Sequence, residues 1–444
     1  MNMFDLERYA SRVAVITDDG RSVNYGELAR LCSTSVPRGL VFCLAGNTLD
    51  SLVGYLTCVQ SGLPVVMLDS SKPKEVIDAL MEVYRPEYLW DGGLKETGMH
   101  GTPLHPDLAL CLTTSGSTGS PKLVRLSAKN IFSNAASIAE YLSIDENERP
   151  VTTLPMYYSY GLSVINSHLL KGATILLTDK SYAQREFWNF VKEQHATSMA
   201  GVPYTYEMLR RLRFFRMDLP DLKVMTQAGG KLNKDIAREY IDFAASRGKK
   251  FFVMYGQTEA TARMSYLPWE HAQEKYASIG IAIPGGSFSL VDADGRVIVE
   301  PEKDGELVYA GPNVSLGYAE SREDLERGDE NGGILHTGDI ARRDADGFYY
   351  ITGRLKRFVK IWGNRCNLDA TEQLVKTITT RCACAGVDDK ITVFVVEEGL
   401  EQTIIQHLSS KMGLNPSAFA VKVIAEIPTK DTGKIDYPAL QTMI

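Results

Sequence analysis

The sequence predicts an α/β protein of more than one domain, and three observations support this fold class. The 444 residues are too many for one hydrophobic core. In the first part of the chain, helices alternate with strands that are apolar on both faces, which is typical of parallel sheets covered by helices. From residue 285 the pattern becomes rich in hairpins, and residues 354–444 show a mixed pattern. We therefore expect a large N-terminal domain of doubly wound sheets with a β-rich subdomain, followed by a small α+β C-terminal domain.

Local signals place the individual elements of the N-terminal part. Apolar runs mark the strands, polar side chains that can accept backbone N–H bonds mark helix starts, and Gly or Pro marks helix ends. The first elements are strand 13–16, a helix capped by Asn24, strand 40–45, a helix after Asn47, strand 64–68, a helix from Pro73 to Arg85, strand 108–112 and a helix capped by Ser127. Strands 173–178, 197–200, 222–226 and 251–254 then alternate with helices 185–194 and 233–247.

The elements of the C-terminal part are predicted from a change in the spacing of apolar residues along the sequence. Residues 287–292, 296–299 and 305–311 predict β-hairpins with an Ala-Asp-Gly turn at 293–295. Strands at 391–396 and 420–424 enclose a helix through Ile404 and Leu408.

Composition restricts the classes of function. The chain is 44% apolar and 23% charged, as in soluble globular proteins, and a net charge of −7 argues against non-specific nucleic-acid binding. Seven scattered cysteines form no disulfide framework, and the closest pair, Cys382 and Cys384, is a poor metal signature. Residues 1–10 do not form a signal peptide, and no apolar run approaches the roughly 20 residues that span a bilayer. We expect a cytoplasmic protein without a membrane span.

A loop at residues 113–122, TTSGSTGSPK, is equipped to hold a polyphosphate. Its glycines allow backbone N–H groups to approach an anion, its hydroxyls are donors, and Lys122 adds a positive charge. A flexible Ser/Gly turn is the ordinary interpretation of such a stretch. The loop is not a Walker A motif, because no lysine follows a glycine and precedes Ser or Thr in that frame.

The loop resembles the phosphate loop of the adenylate-forming superfamily, which contains acyl-CoA and aryl-CoA synthetases, peptide-synthetase adenylation domains and beetle luciferases. The other motifs of this superfamily are matched later in the chain and in the same order: YGQTE at 255–259, HTGD at 336–339, TGRLK at 352–356 and PTKDTGKID at 428–436. The resemblance covers essentially the whole chain. It implies that ATP is bound by Thr114, Ser115, Gly116, Ser117, Thr118, Gly119, Lys122, Gly229, Gly230, Tyr255, Gly256, Asp339 and Arg354.

Within that set, the resemblance implies distinct roles. Gly229 and Gly230 would lie against adenine, although a double glycine is by composition more typical of a tight turn. Tyr255 would stack near the adenine. The carboxylate of Asp339 would accept the ribose hydroxyls, and Arg354 would help to hold ribose and phosphate.

The same resemblance implies the catalytic residues Lys434, Thr258 and Glu259. A carboxylate beside a hydroxyl at the carboxyl edge of a sheet can hold Mg²⁺ through oxygen ligands, so Glu259 is the expected metal ligand and Thr258 a phosphate donor. Lys434 matches the catalytic lysine, whereas a lysine near a C-terminus is otherwise an exposed charge.

Hinge and acceptor positions also follow from the resemblance. Lys356 matches the hinge, which divides the chain into an adenylation domain at 1–353 and a mobile lid domain at 354–444. Gly363 would face the tunnel of the thiol acceptor. The family usually carries a Glu-Ile-Glu triplet at the positions of residues 370–372. Ala370 replaces the first Glu of this triplet, whereas Glu372 matches the last.

The acid pocket is expected to include Tyr157, Tyr158, Tyr160, Tyr204 and Ala228. Tyr158 stands where amino-acid-activating relatives carry an Asp, and because an unpaired buried ammonium is costly, an α-amino acid is disfavoured. Clustered tyrosines also commonly form core packing. The tyrosine hydroxyls suit a small aromatic or short polar acid. Arg263 is expected in a structural salt bridge, the alternative being contact with a second anion of the substrate.

The implied reaction is ATP- and Mg²⁺-dependent activation of a carboxylic acid as an acyl-adenylate with release of pyrophosphate. Transfer to a thiol follows, with CoA or the phosphopantetheine of an acyl carrier protein as acceptor. Two alternatives stay open: transfer to an amine, as in an amide synthetase, and a catalytically silent ATP-binding module. The acid, the acceptor and the oligomeric state are not determined by the sequence.

Overall fold

The computed structural model describes residues 4–113, 122–355, 357–362, 364–429 and 435–444, and it confirms the α/β fold class. The chain divides into two compact units. Unit 1 comprises Met1–Phe288 with Tyr309–Leu335, and unit 2 comprises Ser289–Val308 with His336–Ile444. The boundary at the hinge residue Lys356 stays a prediction, because Lys356 lies outside the described residues.

A nine-stranded sheet of unit 1 has a parallel centre and antiparallel edges. Its strands are, in spatial order, Ile281–Ala282, Ser265–Tyr266, Lys250–Tyr255, Val224–Gln227, Ser198–Gly201, Pro150–Val151, Ile175–Leu177, Val13–Thr17 and Ser22–Asn24. The six strands from Lys250–Tyr255 to Val13–Thr17 pair in parallel. The carboxyl ends of these central strands therefore share one edge of the sheet.

A seven-stranded sheet carries the strands on either side of the predicted phosphate loop. Its spatial order is Gly317–Ala319, Leu123–Ser127, Leu108–Thr113, Val65–Asp69, Val41–Ala45, Tyr88–Trp90 and Leu94–Glu96. Leu108–Thr113 and Leu123–Ser127 are antiparallel neighbours. The loop residues 114–121 between them lie outside the described residues.

Helices cover the sheets of unit 1, and several begin at the predicted caps. The helices are Tyr25–Leu31, Leu49–Ser61, Lys74–Tyr84, Ala128–Tyr141, Ser159–Leu169, Arg185–Glu193, Pro203–Arg211, Lys234–Ser246 and Ala272–Lys275. Asn24 accepts from the N–H of Glu27, and Ser127 forms a capping box with Asn130, which satisfies N–H groups that a helix start leaves free. One core joins both sheets through Leu49–Ser61 and Ser159–Leu169. The helices that begin at Ser159 and Pro203 were not predicted from the sequence.

A five-stranded sheet contains the predicted hairpin-rich region. Its order is Val297–Ile298, Ser287–Val291, Gly305–Ala310, Ile334–Arg343 and Tyr349–Arg354. The rest of unit 2 contains the hairpin Phe358–Ile361 with Asn364–Asn367, a sheet of Cys382–Val387, Lys390–Val395 and Phe419–Val423, and the helices Leu368–Val375, Glu401–Met412 and Tyr437–Gln441. The mixed α+β pattern predicted for this region is present.

The seven cysteines are all buried and free, in agreement with the absence of a disulfide framework in the sequence. Within the described ranges, every helix is too short or too polar to cross a bilayer.

Arg125 is the polar centre of the seven-stranded sheet. Its side chain is fully buried in strand Leu123–Ser127, immediately after the phosphate loop. Nε donates to the carbonyl of Tyr318 at 3.0 Å and Nη2 to the carbonyl of Leu316 at 3.0 Å. The guanidinium also bonds to the carbonyls of Arg327 and Gly328 and to the carboxylate of Glu330. One buried charge therefore ties the loop's second strand to residues 316–330.

Arg125→Met removes these bonds and leaves buried carbonyls without donors. Since an unsatisfied buried polar group costs roughly 1–3 kcal/mol, we expect the free energy of unfolding of unit 1 to fall by about 3 kcal/mol. Urea unfolding measures this change. The control is Arg327→Met, since the Arg327 side chain is 57% exposed and pairs with Asp324 and Glu330 at the surface, where such pairs contribute about 1 kcal/mol or less. Equal losses in both variants would contradict the structural role of Arg125.

Candidate active site

Two predicted nucleotide-binding segments follow adjacent parallel strands of unit 1. Val224–Gln227 leads into Ala228, Gly229 and Gly230, and Lys250–Tyr255 leads into the YGQTE motif. The register pairs Gln227 with Val253, so both segments leave the same edge of the sheet. The carboxyl edge of parallel strands is the usual ligand site of such sheets.

Close backbone approach explains two of the predicted glycines. Gly229 has φ +84°, and a Cβ there would lie 2.8 Å from the hydroxyl of Tyr158. A Cβ on Gly256 would lie 1.7 Å from the carbonyl oxygen of Ala262. Tyr158 therefore lies directly against the backbone predicted to hold adenine, whereas Gly256 is already required by the local fold.

Glu259 and Thr258, the predicted metal ligand and phosphate donor, lie in the short 3₁₀ helix Thr258–Ala260. The Thr258 hydroxyl hydrogen-bonds to that of Ser159 at 3.1 Å, and the Tyr318 hydroxyl donates to Glu259 Oε1 at 2.8 Å. Burial and the nearby Glu259 carboxylate raise the pKa of Tyr318, so its hydroxyl remains a donor at neutral pH. The hydroxyls of Ser159 and Tyr318 therefore contact the predicted site residues Thr258 and Glu259.

Lys122 belongs to the same cluster. Its Nζ lies 3.7 Å from the ring centroid of Tyr318 and 3.5 Å from the carboxylate of Glu320. Tyr318 therefore connects the lysine that ends the phosphate loop with the predicted magnesium ligand. We call Lys122, Tyr318 and Glu259 the phosphate cluster. Sequence analysis missed Tyr318, because only the pairing of Gly317–Ala319 with Leu123–Ser127 brings it there.

Asn313 fixes the segment that follows Glu259. The side-chain Nδ2 of Asn313 donates to the backbone carbonyls of Ala260 and Arg263 at 2.9 Å each. The backbone carbonyl of Asn313 accepts a hydrogen bond from the Thr261 hydroxyl at 2.6 Å. Asn313 is buried, so these bonds are shielded from water. This residue was also missed, and no local signal marks it.

In unit 2, two further residues that are predicted to bind the nucleotide contact each other. Asp339 and Arg354 are opposite partners on antiparallel strands, and Arg354 Nε donates to Asp339 Oδ1 at 3.0 Å. Asp339 is 3% exposed. The pair therefore presents a fixed carboxylate beside a guanidinium, as hydroxyl and phosphate binding would require.

A buried network in unit 2 anchors the tail on which Lys434 lies. The Tyr437 hydroxyl donates to both carboxylate oxygens of Glu372, at 3.0 and 3.2 Å, and the Arg357 guanidinium lies 3.5 Å from the Tyr437 ring centroid. Arg357 also pairs with Glu372 at 3.4 Å and Asp369 at 2.5 Å. Residue 357 adjoins the predicted hinge, so the network connects the hinge side of the unit with the tail.

The described residues include both ends of the predicted tail segment that carries Lys434. Thr429 and Ile435 form an isolated antiparallel bridge on either side of the predicted catalytic lysine. Lys434, Lys356, Gly363 and the six loop residues from Thr114 to Gly119 lie outside the described residues. Their roles stay predictions.

A cavity in unit 1 shares Tyr160 with the predicted acid pocket but otherwise has a different lining. Among its lining residues are Tyr141, Tyr160, Ser163, His168, Thr226 and Arg263. The other four predicted pocket residues do not line it: Tyr157 packs against the core, Tyr158 and Ala228 pack in the cluster that contains Tyr160, and Tyr204 is 51% exposed.

The expected salt bridge of Arg263 is wrong. Arg263 is 3% exposed, and within the described ranges no carboxylate pairs with it. Its Nε has no hydrogen-bond partner there. The guanidinium instead lies 3.8 Å from the ring centroid of Tyr160, because the fold places an aromatic face opposite it.

Comparison with known proteins identifies related chains. The family model described as "AMP-binding enzyme" matches residues 91–319. A feruloyl-CoA synthase from Amycolatopsis sp is 30% identical over 258 residues, which cover 57% of this chain and 50% of the relative, so the chain matches only half of that protein's length. The peroxisomal OPC-8:0-CoA ligase 1 of Arabidopsis thaliana is 25% identical over 440 residues, covering 95% of this chain and 78% of the relative.

The fold is shared with solved structures. The o-succinylbenzoate CoA synthetase MenE from Bacillus subtilis, in complex with its acyl-adenylate intermediate, superposes with a TM-score of 0.82. The match covers 99% of this chain and 98% of that structure at 20% identity. The likeness confirms the predicted fold class.

Proposed function

The chain belongs to the AMP-binding enzyme family, and from this membership we propose that it activates a carboxylic acid with ATP and passes the acyl group to a thiol. The observation that carries the proposal is the phosphate cluster of Lys122, Tyr318 and Glu259 beside Thr258. It joins a cation, a carboxylate and hydroxyl donors at the carboxyl edge of a parallel sheet, which is the set of groups that a metal–triphosphate complex requires.

The first half-reaction makes a carboxylate reactive. An oxygen of the acid attacks the α-phosphorus of ATP, the bond from that phosphorus to the β-phosphate oxygen breaks, and pyrophosphate leaves. Negative charge increases on the phosphate oxygens, so positioned cations and donors lower the barrier. In our proposal, Lys122 and loop residues 114–119 hold the β- and γ-phosphates. Lys434 contacts the acid and the α-phosphate.

Glu259 fits a magnesium ion by the chemistry of its donors. Mg²⁺ is commonly bound by one or two carboxylates together with substrate phosphates, and Glu259 is a carboxylate that accepts the Tyr318 hydroxyl and directly follows Thr258 in the chain. When bound, the ion would neutralise phosphate charge. Tyr318 holds one oxygen of Glu259 and so restricts its orientation. A MenE structure from B. subtilis that holds ATP and a magnesium ion supports the assignment of both groups.

The remaining site residues have roles in the same proposal. Gly229, Gly230, Tyr255 and Gly256 hold the adenine, and Asp339 with Arg354 holds the ribose. In unit 2, the Glu372–Tyr437 bonds limit the motion of the tail three residues beyond Lys434. The hinge at Lys356 and the acceptor tunnel at Gly363 belong to the proposal as well.

We further propose CoA as the acceptor, because a feruloyl-CoA synthase and a CoA ligase are among the relatives. The phosphopantetheine of an acyl carrier protein presents the same thiol. A cytoplasmic location is part of this proposal, since seven free cysteines are typical of a reducing compartment.

The proposal is tested by pyrophosphate release from ATP with a panel of carboxylic acids, with and without CoA. We expect acid-dependent release for a restricted set of acids, and an acyl-CoA product when CoA is present. Formation of an amide product when an amine is supplied in place of CoA would indicate an amide synthetase. Release that no acid stimulates would overturn the adenylation proposal.

Lys434→Ala should separate the two half-reactions. Because Lys434 is assigned only to adenylation, we expect acid-dependent pyrophosphate release to fall by about 10²–10³-fold, as when a group that stabilises transition-state charge is removed. Thioester formation from preformed acyl-adenylate should keep most of its rate. Lys430→Ala, a charge loss in the same tail, is the control and should change neither. Equal losses in both half-reactions would refute the assigned role.

A further inference from the structure

Arg263 carries a buried charge that the described protein leaves without an anion. Its side chain lines the cavity described above, and only 3% of the residue is exposed. Its described hydrogen-bond partner is neutral, because Nη1 donates to the backbone carbonyl of Ala262 at 3.2 Å. The Tyr141 hydroxyl that also lines the cavity is neutral as well, since burial raises its pKa. Burying a cation without a counter-charge is costly. The energetic cost indicates that a missing anion completes this site.

The position of Arg263 is fixed before any ligand arrives. Two buried amides, Asn134 and Asn313, donate to its backbone carbonyl at 3.0 and 2.9 Å. The ring of Tyr160 supports the guanidinium at 3.8 Å, and the Tyr160 hydroxyl is bonded to Thr226. A side chain held in this way loses little entropy on binding, as in preorganised sites.

The other titratable groups that line the cavity do not supply the missing anion. Burial lowers the pKa of His168 to about 4, so this imidazole is neutral at pH 7. The Glu148 carboxylate accepts a hydrogen bond from the Thr197 hydroxyl and makes no ion pair with Arg263. Among the described residues that line the cavity, Arg263 is therefore the one permanent cation.

A chain of contacts relates this cavity to the candidate nucleotide site. Thr258 bonds to Ser159, and the neighbouring Tyr158 lies against Gly229. The rings of Tyr158 and Tyr160 are 6.3 Å apart, and Arg263 lies on the ring of Tyr160. An acid that reacts near Thr258 and extends past Tyr160 would bring its far end to Arg263.

We propose that Arg263 binds a second carboxylate of the acid substrate, so the enzyme activates compact dicarboxylic acids at the carboxylate distant from Arg263. This inference rests on the proposed adenylation function and adds the substrate class to it. A guanidinium presents paired N–H donors that match a carboxylate, and a site with such donors rejects ligands that leave them unpaired.

The first test needs no variant. Pyrophosphate release is measured with Mg-ATP for aliphatic and aromatic dicarboxylic acids, each compared with its monomethyl ester, which has the same length but lacks the second charge. We expect kcat/KM for the best diacid to exceed that of its ester by about ten- to hundredfold, as for a lost hydrogen bond to a charged group. Most of the difference should lie in KM, because the contact is remote from the reacting carboxylate.

Arg263→Met should remove this preference and Arg263→Lys should restore part of it. In the Met variant, kcat/KM for the diacid falls about ten- to hundredfold while that for the ester stays level or rises. Arg238→Met is the matched control, because Arg238 also lies over a tyrosine ring, that of Tyr276 at 5.4 Å, but its side chain is 62% exposed. The control should keep the wild-type preference. Affinity for ATP confirms that each variant is folded.

The outcomes separate the two proposals. If wild-type protein activates no acid at all, the proposed function fails, and the inference fails with it. If wild-type protein activates monoacids or esters as well as it activates the diacids, the inference is overturned and the adenylation proposal stands. A diacid preference that survives in Arg263→Met also overturns the inference. If Arg263→Met does not fold, the comparison of diacid and ester in the wild-type protein decides.

Discussion

The bonds of the buried Arg125 guanidinium hold the strand after the phosphate loop to its antiparallel neighbour Gly317–Ala319. Arg125 reaches the carbonyls of Leu316 and Tyr318, which are 191 and 193 residues away in the chain, and so the register between the two strands is fixed. That register brings Tyr318 to Lys122 and Glu259. The phosphate cluster therefore depends on a charge that itself touches no predicted ligand.

Three buried arginines illustrate how the surroundings of a charge indicate its role. Arg125 and Arg357 are satisfied by protein carbonyls and carboxylates, and both anchor segments next to predicted functional residues. Arg263 is as firmly held, but the described residues offer it a ring and neutral acceptors rather than an anion. Because a buried charge needs compensation, the first two arginines stabilise the fold, and we assign the third to a ligand.

The local chemistry of the sequence predicted most of the secondary structure, whereas contacts between distant segments escaped it. Caps such as Asn24 and Ser127 accept from N–H groups three residues away, so they can be recognised in the sequence. Tyr318 and Asn313 act through strand pairing and loop packing more than fifty residues away, and nothing near them signals it. The predicted salt bridge of Arg263 was wrong because the contact of its side chain also lies far away in the chain. Nothing in the sequence around Arg263 indicates that the ring of Tyr160 packs against it. Of the tyrosines predicted for the acid pocket, Tyr160 lines the cavity, whereas Tyr157, Tyr158 and Tyr204 do not.

A crystal structure of the protein with a non-hydrolysable ATP analogue and Mg²⁺ tests the phosphate cluster directly. We expect the β- and γ-phosphates within hydrogen-bond distance of Lys122 and the 114–119 loop, with Glu259 as a ligand of the metal. Phosphates bound away from both, with Glu259 still accepting the Tyr318 hydroxyl alone, would show that the cluster does not bind ATP.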